Sequence, residues 1–170
     1  MIKRYILICS LFLLLIIISF KNINNNSKIE VNSIIYDQHN SVNRDFTNNL
    51  GYLLIDRLNI DKDIKRGTSL HVLNSNSVGL YENGVELNDE SGQIILAGHN
   101  NKYVFKNLFR IKQGDTIKII TYNKEYVYKV YKKVVVSFYD SSYFKVGDSD
   151  KEVILITCVN KDKRLLVFAK

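Results

Sequence analysis

Hydrophobic positions fall in two regimes along the chain. In residues 5–20 every side chain is apolar or small apart from Ser10 and Ser19, and Ile2 and Ile23 carry that character past the flanking charges. From residue 51 onward apolar residues come instead in short runs rich in Ile, Val, Tyr, Thr and Phe: 52–55 with Leu58 and Ile60, 93–97, 116–121, 125–136, 153–158 and 165–169. Runs of this length and composition predict β-strands. Turn-forming clusters separate them, among them Glu82-Asn83-Gly84, Asn88-Asp89-Glu90-Ser91-Gly92 and Tyr122-Asn123-Lys124. One stretch differs: around 103–111, Val104, Leu108 and Ile111 have the spacing of one face of a short helix. Many short strands at close intervals predict an all-β body, an antiparallel sandwich or barrel with one or two short helices.

The first run reads as a membrane segment. Its sixteen residues fall a little short of the ~20 that span a bilayer, but Lys3, Arg4 and Lys21 can snorkel to the interface. A cleaved signal peptide is the competing reading. Against it, the run is followed by Lys21-Asn22-Ile23-Asn24-Asn25-Asn26 and not by a small-x-small cleavage site. Residues 1–23 are therefore expected to form a cytoplasmic tip and a single transmembrane helix, with the rest of the chain extracellular. Residues 24–49, rich in Asn, Ser and charge, read as a tether with a short helix around 29–36. Residues 50–170 form the folded body.

Composition narrows the class of the body. The 170 residues are 46% hydrophobic, contain no Pro or Trp and show no fixed-period repeat, which excludes disorder, solenoids and collagen. The net charge of +7 suggests a nucleic-acid partner until it is mapped. Residues 1–28 contribute four basic side chains and no acid, leaving 20 basic against 17 acidic, or +3, for the rest. Those charges alternate in sign with no recognition motif, so nucleic acid is not an expected partner.

The two cysteines lie in different phases, Cys9 in the expected membrane segment and Cys158 near the C-terminus of the extracellular body, so they cannot pair within one chain. Cys158 is then an unpaired thiol: a buried structural residue, an intermolecular partner or a reactive group. Its surroundings bear on the choice. Cys158 ends one strand and Arg164 begins the next across a five-residue connection, and antiparallel pairing sets the two opposite each other on one face. A guanidinium there favours thiolate over thiol and offers N–H donors to an oxyanion. A small hydrophobe beside a rim cation would give the same spacing. A nucleophile also needs an acid/base partner. His39 lies in the tether and His71 in a polar stretch, where a solvated loop role suffices. His99 follows the run Ile94-Ile95-Leu96-Ala97 and a Gly, at a strand end that can face a cleft, although a structural histidine would also fit there.

Taken together, these residues resemble the sortases. Ile94-Ile95-Leu96-Ala97-Gly98-His99-Asn100, followed by Phe105, Leu108 and Gly114-Asp115-Thr116-Ile117, is similar to the histidine region of that family; Leu155-Ile156-Thr157-Cys158 with Arg164 is similar to its cysteine and arginine region. Gly51-Tyr52-Leu53 and Val78-Gly79-Leu80-Tyr81 resemble its first strands, so that the likeness covers about residues 50–170. The resemblance implies a closed β-barrel of about eight strands and a membrane-anchored cysteine transpeptidase of Gram-positive bacteria. Such enzymes cut a sorting signal of the Leu-Pro-x-Thr-Gly type after Thr and join the new carboxyl to an amine of a cell-wall precursor or a pilin. Carried over by position, Cys158 is the nucleophile, His99 the acid/base and Arg164 the oxyanion or positioning residue, with Thr157 lining the site.

Departures from the family pattern concern specificity. Asp56, Asp61 and Asp63 occupy a region where Pro is common in relatives, and Gly79-Leu80-Tyr81 stands where many have Gly-His-Tyr. The short Cys158-to-Arg164 connection argues against the subgroup with a helix inserted there. Residues 139–150, polar and aromatic, are expected to face substrate, with Tyr143 a contact; a plain surface loop is the alternative. Signatures of serine hydrolases, phosphate-binding loops and zinc sites are missing from the sequence, so no metal or organic cofactor is expected. Two further readings share parts of the pattern: a tethered β-domain that binds surface ligands without chemistry, and a cysteine peptidase that releases acid.

Overall fold

The computed structural model describes residues 44–145 and 149–170. The expected membrane segment, most of the tether and the helix around 29–36 lie outside them. Among the described residues no helix is long and apolar enough to cross a membrane.

Among the described residues the body forms eight strands: β1 (Gly51–Ile55), β2 (Ile60–Arg66), β3 (Val78–Leu80), β4 (Gln93–Ala97), β5 (Thr116–Ile120), β6 (Glu125–Ser137), β7 (Glu152–Cys158) and β8 (Lys163–Ala169), with a short helix, α1 (Leu70–Asn74), between β2 and β3. They close a barrel in the order β1-β2-β3-β4-β7-β8-β6-β5, β5 pairing back onto β1. Adjacent strands are antiparallel except for β2 with β3 and β4 with β7. Of the sandwich and barrel expected from the strand pattern, the chain forms the closed barrel, which leaves no sheet edge free.

Strand alternation sorts the core into two layers. Ile94 and Leu96 of β4, Val153 and Leu155 of β7, and Leu165 and Val167 of β8 belong to the cluster that fills the barrel. The residues between them, Ile95, Ile154, Ile156, Leu166 and Phe168, form a second cluster on the outer face with Val136, and Ala97, Tyr143 and Phe144 pack against it. Covering on both faces is why these strands read as near-continuous apolar runs. Each such side chain taken fully out of water contributes about 1.5–3 kcal/mol.

Two local expectations are revised. The run 52–55 with Leu58 and Ile60 is not one strand: β1 ends at Ile55, a 3-10 turn (Asp56–Leu58) follows, Asn59 takes a left-handed φ of 52°, and β2 begins at Ile60. The 103–111 stretch forms turns and a single 3-10 turn (Leu108–Arg110) instead of an α-helix. Val104, Leu108 and Ile111 still share a buried face. Asn101 sets this path, its Oδ1 accepting from the Tyr103 and Val104 N–H groups at 2.9 and 3.0 Å, a local alternative to helix.

The segment between β6 and β7 is tied to the start of the parallel β4–β7 pair. Gln93 and Glu152 are register partners there and both are buried. Gln93 Nε2 donates to Glu152 Oε2 at 2.8 Å, and the Tyr131 hydroxyl of β6 donates to Glu152 Oε1. Gln93 Oε1 in turn accepts from the Lys145 backbone N–H at 2.8 Å. Burial, followed by the bond to Glu152, pushes the Tyr131 phenol up to about 12.

Candidate active site

Two strand ladders meet at Cys158. In the parallel ladder Ala97 pairs with Ile156, and the next residues stay in step: Gly98 N–H donates to the Ile156 carbonyl at 3.0 Å, and Thr157 Oγ1 donates to the Gly98 carbonyl at 2.8 Å. Alternation from Ala97 and Ile156 then directs His99 and Cys158 to the outer face. In the antiparallel ladder Cys158 pairs with Arg164, as the hairpin spacing predicts. The turn is closed by Val159 N–H on the Lys163 carbonyl at 2.9 Å and carries no helix.

His99, Thr157, Cys158 and Arg164 line one cleft of about 240 Å³, bounded also by Tyr81 and Phe144. Cys158 is exposed, His99 and Arg164 are half-buried, and Thr157 is buried with its hydroxyl bonded. The thiol is therefore not a core hydrophobe.

His99 and Arg164 each have a local support. His99 Nε2 lies 3.1 Å from Asn74 Oδ1. An amide oxygen at that place accepts from an Nε2–H and so favours the tautomer that carries its proton on Nε2. Asn74 is the last residue of α1, whose N-cap Ser69 accepts from the Val72 N–H at 3.4 Å. Behind His99, a Cβ on residue 98 would stand 2.7 Å from the Phe105 ring and 2.8 Å from Val104 Cγ1. Only glycine lets the strand end pack this closely. Arg164 stacks: its Cζ is 3.7 Å from the centre of the Phe138 ring. Phe138 is fixed by its own N–H, which donates to the Asp162 carbonyl at 2.7 Å.

A second cleft of about 530 Å³ adjoins the first and shares Tyr81, Phe144 and Arg164 with it; Phe138, Tyr139 and Lys145 complete the wall on the β6–β7 side. Tyr143, expected to contact substrate, lines neither cleft. Its ring packs on Phe168 at 5.8 Å with Lys132 Nζ 4.7 Å above it, and its carbonyl accepts from Gln93 Nε2 at 3.3 Å. The neighbouring Phe144 faces the clefts. His71 is exposed on α1, and His39 lies outside the described residues. Asn74, Phe138 and Phe144 carry no motif of their own; only a three-dimensional arrangement marks them. Among the described residues no group of three or more His, Cys, Asp or Glu side chains could hold a metal ion.

A thiol, an imidazole with an oriented tautomer and a guanidinium around one cleft can carry out acyl transfer: attack on a carbonyl, protonation of the leaving group and stabilisation of the oxyanion.

Comparison with known proteins identifies the family to which this fold belongs. The family model described as Sortase domain matches residues 53–170. Sortase D of Bacillus subtilis (strain 168) is 30% identical over 126 residues, an alignment covering 71% of this chain and 62% of that protein. The chain thus spans under two thirds of that relative's length. Among solved structures, sortase C1 from Streptococcus agalactiae superposes with a TM-score of 0.66 at 31% identity, covering 74% of this chain and 68% of the other. A Clostridium perfringens sortase D5 transpeptidase gives a TM-score of 0.66 at 29% identity, covering 72% and 78%.

Proposed function

The chain belongs to the sortase family, and we propose that it is a membrane-anchored cysteine transpeptidase. It cleaves a Leu-Pro-x-Thr-Gly-like sorting signal of secreted surface proteins and transfers the acyl group to an amine of a peptidoglycan precursor or a pilin. The observation that carries this reading is the convergence of His99, Cys158 and Arg164 on one cleft from two adjoining ladders.

In the first half-reaction His99 takes the proton of the Cys158 thiol and Sγ attacks the carbonyl carbon of the Thr in the signal. Arg164 donates N–H groups to the oxyanion. As the C–N bond breaks, the imidazolium gives its proton to the leaving amine and a thioester remains on Cys158. In the second half an amine attacks the thioester carbon and its proton passes to His99. The C–S bond then breaks, the new amide leaves, and Cys158 recovers its proton. Residues 5–20 hold the chain at the membrane with residues 50–170 outside, where secreted signals and cell-wall amines are met. The chemistry asks for no metal or organic cofactor.

The test is mass spectrometry of the full-length chain incubated with a panel of sorting-signal peptides, with and without an added amine. The reading requires a mass increment on Cys158 and a ligated product only when amine is present. Acid as the sole product with amine present would assign a peptidase; a folded protein whose thiol resists both peptides and alkylating agents would assign a binding module.

A further inference from the structure

Cys158 and Thr157 form a wall common to two clefts. One holds His99 and Arg164. The other, of about 380 Å³, opens on the far side of the nucleophile and is lined by Phe105, Phe109, Val135, Val159 and Leu165, with Asn100 as its further polar member. We propose, resting on the transpeptidase reading above, that this second cleft seats the aliphatic portion of the amine acceptor and selects a primary amine borne on an apolar stem.

The cleft is a consequence of the barrel's end. A register shift between Val130 and Lys132 resets the alternation of β6, so that Val135 pairs with Leu165 on the inward side. Yet Val135 is 51% exposed, while Phe109 and Val159 are 65% and 46% exposed. Apolar side chains converging on a solvent-open cleft beside a nucleophile mark a binding surface. The wall is built: Lys133 Nζ donates to the carbonyls of Phe109 and Ile111, both at 2.7 Å, fixing the 3-10 turn that carries Phe109. No Asp, Glu, Lys, Arg or His side chain lines the cleft.

The occupant follows from the order of the reaction. While the thioester persists, the acyl peptide fills the side bounded by Phe138 and Phe144. The acceptor must reach the thioester carbon without displacing it, and the apolar cleft is the approach that stays open. Apolar walls disfavour the ammonium form, so the amine is delivered neutral, as attack requires, and its proton then passes to His99. Water has no apolar part to bury and gains nothing from these walls. The cleft therefore biases the thioester toward aminolysis.

The probe is a series of unbranched alkylamines, ethylamine, butylamine and hexylamine, whose amino groups have near-equal basicity. The full-length chain is acylated by a peptide that forms the thioester, and the ratio of amide to acid product is measured for each amine. That ratio is expected to rise about two- to fourfold per added methylene, the increment for taking a methylene out of water, and to flatten in Phe109→Ser and Val135→Ser. Both substitutions fall on side chains more than half-exposed, and the wild-type series reads the cleft without them. A ratio independent of chain length in the wild type overturns the inference while leaving the transpeptidase reading in place. A chain-length dependence that persists in both variants also overturns it, since another surface would then be responsible. Failure to form any thioester on Cys158 overturns both.

Discussion

The Cζ atom of Arg164 sits 3.7 Å from the centre of the Phe138 ring. Arg164 lies on β8 and Phe138 in the turn just past β6, and Val136 is the register partner of Arg164. Stacking on an aromatic face fixes the plane of a guanidinium and with it the direction of its N–H donors. Phe138→Ala should lower kcat/KM by roughly two- to thirtyfold, matching the ~0.5–2 kcal/mol of such contacts. Phe138→Tyr should retain most of the activity. Equal loss in both variants, measured by peptide turnover, would assign Phe138 to packing alone.

Cys158→Ala should form no thioester while melting within a few degrees of the wild type. The thiol is exposed, and surface truncations cost about 0.5 kcal/mol or less. Intact-mass analysis and a thermal melt on the same sample check both halves. Arg164→Lys should be far more damaging than a charge-conserving change suggests, because a point ammonium cannot reproduce the planar fork.

On the transpeptidase proposal Asn74 acts through His99, whose Nε2 lies 3.1 Å from its Oδ1. Removing the carbonyl oxygen in Asn74→Ala frees the ring to rotate, and kcat should fall by about tenfold through loss of orientation. Asn74→Asp keeps the bond and adds a negative charge that favours the imidazolium. Its pH–rate profile should therefore shift to higher pH. A profile that does not move in the Asp variant would mean that the contact is not made in the working enzyme.

The buried Glu152 carboxylate accepts from Gln93 and from Tyr131. Tyr131→Phe leaves one of its oxygens without that donor and should cost about 1–3 kcal/mol of stability at neutral pH, read by denaturant unfolding. The pH dependence has a definite sign. The Tyr131 phenol is raised to about 12 in the folded protein from an ordinary value of 10.0, so its contribution is complete below about pH 10 and declines as pH climbs toward 12. Tyr131→Phe should flatten that decline. It should not abolish it, because burial raises Tyr128 in the same direction.

Legibility in the sequence followed the covering of each strand. β7 and β8 stand out because both faces are apolar, and their short turn fixed the Cys158–Arg164 pairing in advance. β2 escaped as a separate strand because only Ile60 and Ile64 face inward, the remaining positions being Asp, Lys and Arg. α1 buries no residue, so it left no periodic signal. The two-layer arrangement was also hidden: nothing in Ile94-Ile95-Leu96-Ala97 says which side chains fill the barrel and which lie outside it. That distinction depends on closure, a long-range event.

The same limits applied at the site. His99 was visible as a residue just past an apolar run. Its partner Asn74 sits 25 positions earlier in a polar stretch, where an asparagine has many uses. In the segment before β7, Tyr143 and Phe144 are adjacent aromatics that the sequence does not tell apart. The chain turns Tyr143 onto Phe168 and Phe144 toward the clefts.

The parallel pairing of β4 with β7 makes the reactive apparatus portable. Cys158 and His99 are spaced by a sheet ladder, whereas much of the wall around them comes from connections: the segment before β7 on one side and the turns after His99 on the other, the latter beside Val135 of β6 and Leu165 of β8. On the transpeptidase proposal, exchanging the first of these for the corresponding stretch of a relative should retune which peptide is cut, and on the acceptor-cleft inference exchanging the second should retune which amine is joined. On the same proposal, a ligase assembled in this way is adaptable in halves, and new donor and acceptor preferences can be selected in separate libraries and then combined.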